Sequence, residues 1–278
     1  MHSHWWAGPA VVLAGLLPLI SPGAPARAVP AGCPAPVSRL VTTTGIDAFS
    51  VALDEKGGFY LSSATGELSR VDLATGVSRT IATGLGNLRG VATDGRGTVY
   101  VADFGGKVLA VDAATGRHRV LAQGLGSVLG VAFGNGKVYA SGSGSDDTLW
   151  ELSPGSAPRA VAHGMNAVTD IAADRRGGIA LVELTGDVYR IDIRTGARQD
   201  FTTPADLYEP ISVQAGPDGR IVFATGANEL HVIDPATGWI SAPCPSASAH
   251  DFALDGRGNA VVLSVSDGKI SYVRHLVS

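Results

Sequence analysis

Four residues, Val51-Ala52-Leu53-Asp54, recur along this chain as Val91-Ala92-Thr93-Asp94, Ile171-Ala172-Ala173-Asp174 and Phe252-Ala253-Leu254-Asp255. Weaker copies stand at Val131-Ala132-Phe133-Gly134 and Val213-Gln214-Ala215-Gly216. A second series keeps step with the first: Val71-Asp72-Leu73-Ala74-Thr75-Gly76, Val111-Asp112-Ala113-Ala114-Thr115-Gly116, Ile191-Asp192-Ile193-Arg194-Thr195-Gly196 and Ile233-Asp234-Pro235-Ala236-Thr237-Gly238. The period is about 40 residues, the length of a four-stranded unit that buries its faces only by stacking on its neighbours. In the second unit the strands are expected at 90–93, 98–102, 106–111 and 117–122. The segments Asp94-Gly95-Arg96-Gly97 and Asp112-Ala113-Ala114-Thr115-Gly116 turn between them, with Asp capping the turn and Gly taking the left-handed position. The 37 glycines are spread at such intervals, as turns between short strands require.

Six units begin near Asp47, Asn87, Ser127, Ala167, Glu209 and Ser248. The sixth offers only three strands, the third near 269–275. The missing strand is at the other end of the chain, where Pro36-Val37-Ser38-Arg39-Leu40-Val41-Thr42-Thr43 matches Gly76-Val77-Ser78-Arg79-Thr80-Ile81-Ala82-Thr83. The expected fold is all-β, a six-bladed β-propeller whose last blade is completed by the N-terminal strand. Such closure pairs the edges that an open ring would expose.

Residues 1–28 read as a signal peptide and 29–278 as the propeller domain. The apolar run from Ala10 to Ile20 is too short to span a bilayer and is broken by Pro18, and Ala26-Arg27-Ala28 offers a cleavage site. The amino-terminal region carries His2 and His4 but no Lys or Arg. No later apolar segment is long enough to span a membrane, so a secreted protein is expected. An exported chain with two cysteines usually joins them. Cys33, just before the closing strand, and Cys244, in the connection into the sixth unit, fall on one seam of the ring. The net charge of −4 and the absence of any Lys/Arg run leave no basic stripe for DNA or RNA.

The stretch Gly90-Val91-Ala92-Thr93-Asp94-Gly95-Arg96-Gly97-Thr98-Val99-Tyr100-Val101-Ala102-Asp103 resembles NHL-type repeats and the propeller superfamily of gluconolactonase, regucalcin and streptogramin lyase. The resemblance runs over the whole chain after the leader, on blade-building residues. It implies a ligand site on one rim of the channel, made by the residues just before each first strand and by the loops joining second to third strands. Stacking the units puts Phe49-Ser50, Arg89-Gly90, Leu129-Gly130, Thr169-Asp170, Ile211-Ser212 and His250-Asp251 there.

Gluconolactonase-like enzymes hold a divalent metal with Glu, Asn and Asp. Here Arg89, Leu129 and Thr169 stand where Asn would fall, so that ligand set is not reproduced. A different carboxylate set, Asp170, Glu183 and Asp251, could hold Ca²⁺ or Mg²⁺ through hard oxygen ligands. In streptogramin lyases a rim His is the base, and His250, beside Asp251, is the corresponding candidate. Arg89 could clamp a carboxylate or phosphate, or pair with Asp170 or Glu209. Asp103, Thr169 and Glu209 complete the candidate ligand-binding set. His118, His231 and His275 are expected on outer strands or turns, in solvent. No G-x-S-x-G, H-E-x-x-H, P-loop or C-x-x-C is present. Two readings stand: a small-molecule site on the rim, with lactone hydrolysis or elimination as its chemistry, or a non-catalytic scaffold offering its rim to a protein.

Overall fold

The computed structural model describes residues 37–43, 47–143, 147–201, 209–227, 229–241 and 249–276. Residues 1–28, Cys33 and Cys244 lie outside the described residues. Six antiparallel four-stranded sheets are present. The innermost strands, Ala48–Leu53, Leu88–Thr93, Ser127–Gly134, Val168–Ala173, Pro210–Ala215 and Asp251–Leu254, neighbour one another in chain order, and the last lies against the first. Among the described residues no helix is long and apolar enough to cross a membrane.

Alternation along the strands sends one side chain to each face of a blade, and each face is buried on the next blade. The core is therefore divided into six clusters, one per seam. Between blades 1 and 2 it holds Tyr60, Leu68, Leu88 and Val99, and between blades 4 and 5 Val182, Val188, Phe201 and Phe223. The repeated Asp and Thr residues do the work expected of turn formers. Asp112 Oδ1 accepts the N–H groups of Ala114 (3.1 Å) and Thr115 (2.7 Å) and the Thr115 hydroxyl (2.8 Å).

The ring closes as expected. Strand Val37–Thr43 pairs antiparallel with Lys269–Arg274 as the outermost strand of blade 6. It also packs onto blade 1. Arg39 donates to the Leu73 carbonyl at 2.7 Å, and Val41 joins the cluster of Val51, Phe59 and Val71. Gly76 shows how tight this seam is, since a Cβ there would lie 2.3 Å from the Val41 carbonyl oxygen. The equivalent Gly116 meets Ile81, on the outermost strand of blade 1, at the same distance. The N-terminal strand thus fills the place that a preceding blade fills elsewhere.

Candidate functional site

Two rings of side chains stand at one end of the channel, and a backbone irregularity separates them. In blades 1 to 5 the pairing of first and second strands slips just before the V-A-x-D core, leaving an extra residue on the inner strand. Such bulges re-aim side chains. The residues at the slips are Phe49, Arg89, Leu129, Thr169 and Ile211, and His250 holds the same place ahead of the last inner strand. These six form the rim. One residue further along, Ser50, Gly90, Gly130, Asp170, Ser212 and Asp251 form a lower ring at the throat.

The lower ring bolts the blades together. Asp251 Oδ2 accepts the Val51 N–H of blade 1 at 2.7 Å, and Asp170 Oδ2 accepts the Val213 N–H of blade 5 at 2.9 Å. The Ser50 hydroxyl accepts the Val91 N–H of blade 2 at 3.3 Å. Where the ring has glycine the backbones meet directly. A Cβ at Gly90 would lie 2.7 Å from the Leu129 carbonyl, and one at Gly130 would lie 2.9 Å from the Ile171 nitrogen.

Ser212 joins the two carboxylates, 3.0 Å from Asp170 Oδ2 and 2.5 Å from Asp251 Oδ1. A hydroxyl has one proton to give. Two such contacts to carboxyl oxygens are best satisfied when one carboxyl carries a proton of its own. The electrostatics agree. Burial, then the Asp251 charge, push Asp170 up to about 8, and burial also raises Asp251.

The expected metal set is not assembled. Asp170 and Asp251 come together, but their oxygens are taken by N–H and O–H donors, including Ile171 N–H on Asp170 Oδ1 at 2.8 Å. Glu183 is buried elsewhere, accepting the Tyr189 hydroxyl at 2.5 Å and the Asn166 N–H at 2.9 Å. Among the described residues no three His, Cys, Asp or Glu side chains group to hold a metal. The donor set does not fit Ca²⁺ or Mg²⁺.

Glu183 and Asp103 share one repeat position, and the structure explains both as caps. Asp103 Oδ1 accepts the Asn87 and Gly105 N–H groups at 2.9 and 3.1 Å, tying its loop to the incoming connection as Glu183 does with Asn166. Thr169 donates toward the carbonyls of Val182 (3.3 Å) and Pro210 (3.2 Å), so its hydroxyl also serves a seam. Glu209 is exposed and contributes its backbone carbonyl to Gly226 N–H at 2.8 Å. His231 departs from the expected solvated position. It is buried, stacked on Phe223 at 5.2 Å, with Nδ1 3.2 Å from the Ser241 carbonyl oxygen. The third strand of its blade carries it into the core instead of along the surface.

Arg89 and His250 remain as the rim's polar chemistry, joined by Phe49, expected at the rim, and by Phe104, which was not. The Arg89 guanidinium lies 4.2 Å from the Phe49 ring centroid and 5.1 Å from that of Phe104. His250 meets Phe49 edge-on at 5.4 Å. Among the described residues the buried Arg89 Nε has no hydrogen-bond partner and Arg89 makes no ion pair, so pairing with Asp170 or Glu209 is not seen. Burial lowers the pKa of His250, and the Arg89 charge adds to this against the pull of Asp251. The imidazole is therefore neutral at neutral pH. Beneath the rim the cavity is only about 20 Å³, room for a water molecule.

Phe104 is 40% exposed and Leu184 49%. Both follow a second strand and bond by N–H to the incoming connection, as Ala64 and Gly226 do in blades 1 and 5. Nothing in that backbone role asks for a large apolar side chain. The sequence signal was available, because Phe104 and Leu184 stand out from Ala64 and Gly226 when the units are stacked.

Solved structures share the fold at low identity. A gluconolactonase from Xanthomonas campestris superposes with a TM-score of 0.73 at 14% identity, covering 87% of this chain and 91% of that one. Streptogramin B lyase gives 0.67 at 14%, covering 85% and 97%. A chain of the nidogen/laminin complex gives 0.64 at 18%, covering 71% and 79%. No curated protein sequence matches. The family model PQQ_2, described as outer membrane protein assembly factor BamB, matches residues 51–203. That match spans more than half of the 278 residues, and the chain belongs to the PQQ_2 family of propeller repeats.

Proposed function

We propose that this is an exported binding propeller whose rim takes a small organic anion with a flat apolar body, a carboxylate or phosphate on an aromatic or similar frame. The observation that carries the reading is Arg89: a guanidinium packed against Phe49 and Phe104, with a buried Nε that no group among the described residues satisfies. A buried donor left unpaired costs about 1–3 kcal/mol, so a ligand that accepts from it gains what the free protein forgoes. Leu129 and Ile211 supply apolar contact around it, and His250 stands against Phe49 as a neutral hydrogen-bonding group. Should the ligand be transformed, His250 is the group on this rim to take a proton, as the likeness in fold to a lactonase and a lyase would allow. A metal has no part in this reading.

A thermal-shift screen of benzoate, phenyl phosphate and acetate tests it. The aromatic anions should raise the melting temperature more than acetate, and Arg89→Ala should weaken their binding about tenfold or more by removing a charge-assisted contact. Equal shifts in wild type and Arg89→Ala would overturn it.

The exposed Phe104 and Leu184 favour a second reading, a protein partner docked over the same rim. An assembly-factor description of the family model is in keeping with it. Under that reading Phe104→Ser and Leu184→Ser abolish capture of the partner without moving any small-molecule shift.

A further inference from the structure

A second, wider cavity lies at the other end of the channel. It is a funnel of about 800 Å³ walled by the later halves of the innermost strands and by the turns that follow them. Small-molecule sites occupy about 300–1,000 Å³. Each innermost strand is paired on one side only, so its other edge faces the axis. At the throat these edge N–H groups are taken by the lower ring, as with Val51 and Val213. In the funnel, at the level of Leu53, Thr93, Phe133 and Leu254, no such ring is present among the described residues, and the wall offers peptide groups to whatever fills it.

The mouth is cationic on one side. Arg175 leaves blade 4 and reaches across blade 5, bringing Nη2 to 3.5 Å from where a Cβ on Gly256 of blade 6 would lie. Gly256 is followed by Arg257, and both arginines line the funnel and are exposed. Arg175 of blade 4 thus brings its guanidinium to the turn that carries Arg257 of blade 6. The neighbouring carboxylates are already engaged. Asp255 accepts the Arg257 N–H (2.8 Å), the Asn259 N–H (2.9 Å) and the Asn259 side-chain amide (2.7 Å). Asp218 pairs with Arg220, and Asp174 with Arg190. Among the described residues neither Arg175 nor Arg257 makes an ion pair. Tyr272, on the same wall, has its pKa raised by burial and so keeps its hydroxyl proton as a donor. Glu55 marks the far side, on blade 1.

We infer that this funnel is a second binding site, for an organic anion whose body carries hydrogen-bonding groups, with Arg175 and Arg257 holding the anionic group and the open strand edges its body. The site is independent of the Arg89 rim. Arginines that make no ion pair keep their N–H donors for carboxylate and phosphate oxygens, which they bind through parallel bonds.

Calorimetric titration of the full chain with citrate and with trialanine tests the assignment. At least one probe should bind, and the double variant Arg175→Ala/Arg257→Ala should weaken it about tenfold or more. Arg89→Ala should leave that affinity unchanged, which separates this site from the rim. Both arginines lie outside the core clusters, and the melting temperature of the double variant checks that it folds. Binding of neither probe, or an affinity the double variant leaves intact, overturns the inference.

Discussion

A chain beginning at Thr44 is expected to aggregate, or to melt far below the full-length protein. The truncation removes strand Val37–Thr43, its ladder on Lys269–Arg274, the Arg39 bond to Leu73 and the Val41 contact in the seam between blades 6 and 1. It leaves a six-residue strand edge bare, and bare edges pair with other chains. The loss is comparable with the whole net stability of a typical domain, about 5–15 kcal/mol. Size-exclusion chromatography and thermal melting decide the matter. A monomeric truncation with unchanged melting contradicts the closure.

The second large effect is expected at Asp251. Asp251→Ala deprives the buried Val51 N–H of its acceptor and leaves the Ser212 hydroxyl with Asp170 alone. An unsatisfied buried group costs about 1–3 kcal/mol, so the loss in urea unfolding should fall in that range. The same network makes stability fall with rising pH. Asp170 is raised from the ordinary 3.8 to about 8 in the folded protein, chiefly by burial. The folded state therefore binds more protons than the unfolded state between those values. Its contribution is fully present below 3.8 and is lost as pH rises through about 8. Stability measured from pH 5 to pH 9 should decline, and Asp170→Asn, which cannot titrate, should flatten that decline while costing stability at the acid end. A parent protein whose stability rises across this range would contradict the shared-proton network.

The fold was legible because blades repeat. Turn Asp and Gly residues must satisfy the same backbone demands in every unit, so spacing alone located the sheets, and the match of 36–43 to 76–83 located the closing strand. The observed strands differ from the expected ones by about a residue or two at their ends, as Leu88–Thr93 and Lys107–Asp112 show against 90–93 and 106–111. The site was legible only as a set of positions. Stacking the units brought Arg89, Thr169 and His250 to the rim, but not the bulge at which Arg89 and Thr169 stand, because a bulge is a relation between two strands. Asp170 and Asp251 looked like ligands because a carboxylate that binds a metal and one that accepts a neighbouring blade's N–H are the same residue type at the same repeat position. Asp103 and Glu183 could have been separated from them. Their repeat position holds Ser63, Thr225 and Ser264 in other blades, short oxygen-bearing side chains suited to capping a loop. Arg175 reaches the Gly256 turn across an intervening blade, a proximity that no local pattern reports.

The most direct measurement of the rim proposal is the NMR titration of the His250 ring protons, without ligand and with saturating benzoate. In the free protein the imidazole should titrate below 6.5, because burial and the Arg89 charge oppose its protonation. A bound anion offsets the Arg89 charge, so benzoate should move the His250 resonances and raise the pKa. Arg89→Gln should abolish the ligand's effect. A free-protein pKa above 6.5, or resonances that benzoate leaves unmoved at concentrations that stabilise the protein, would contradict a shared Arg89–His250 site.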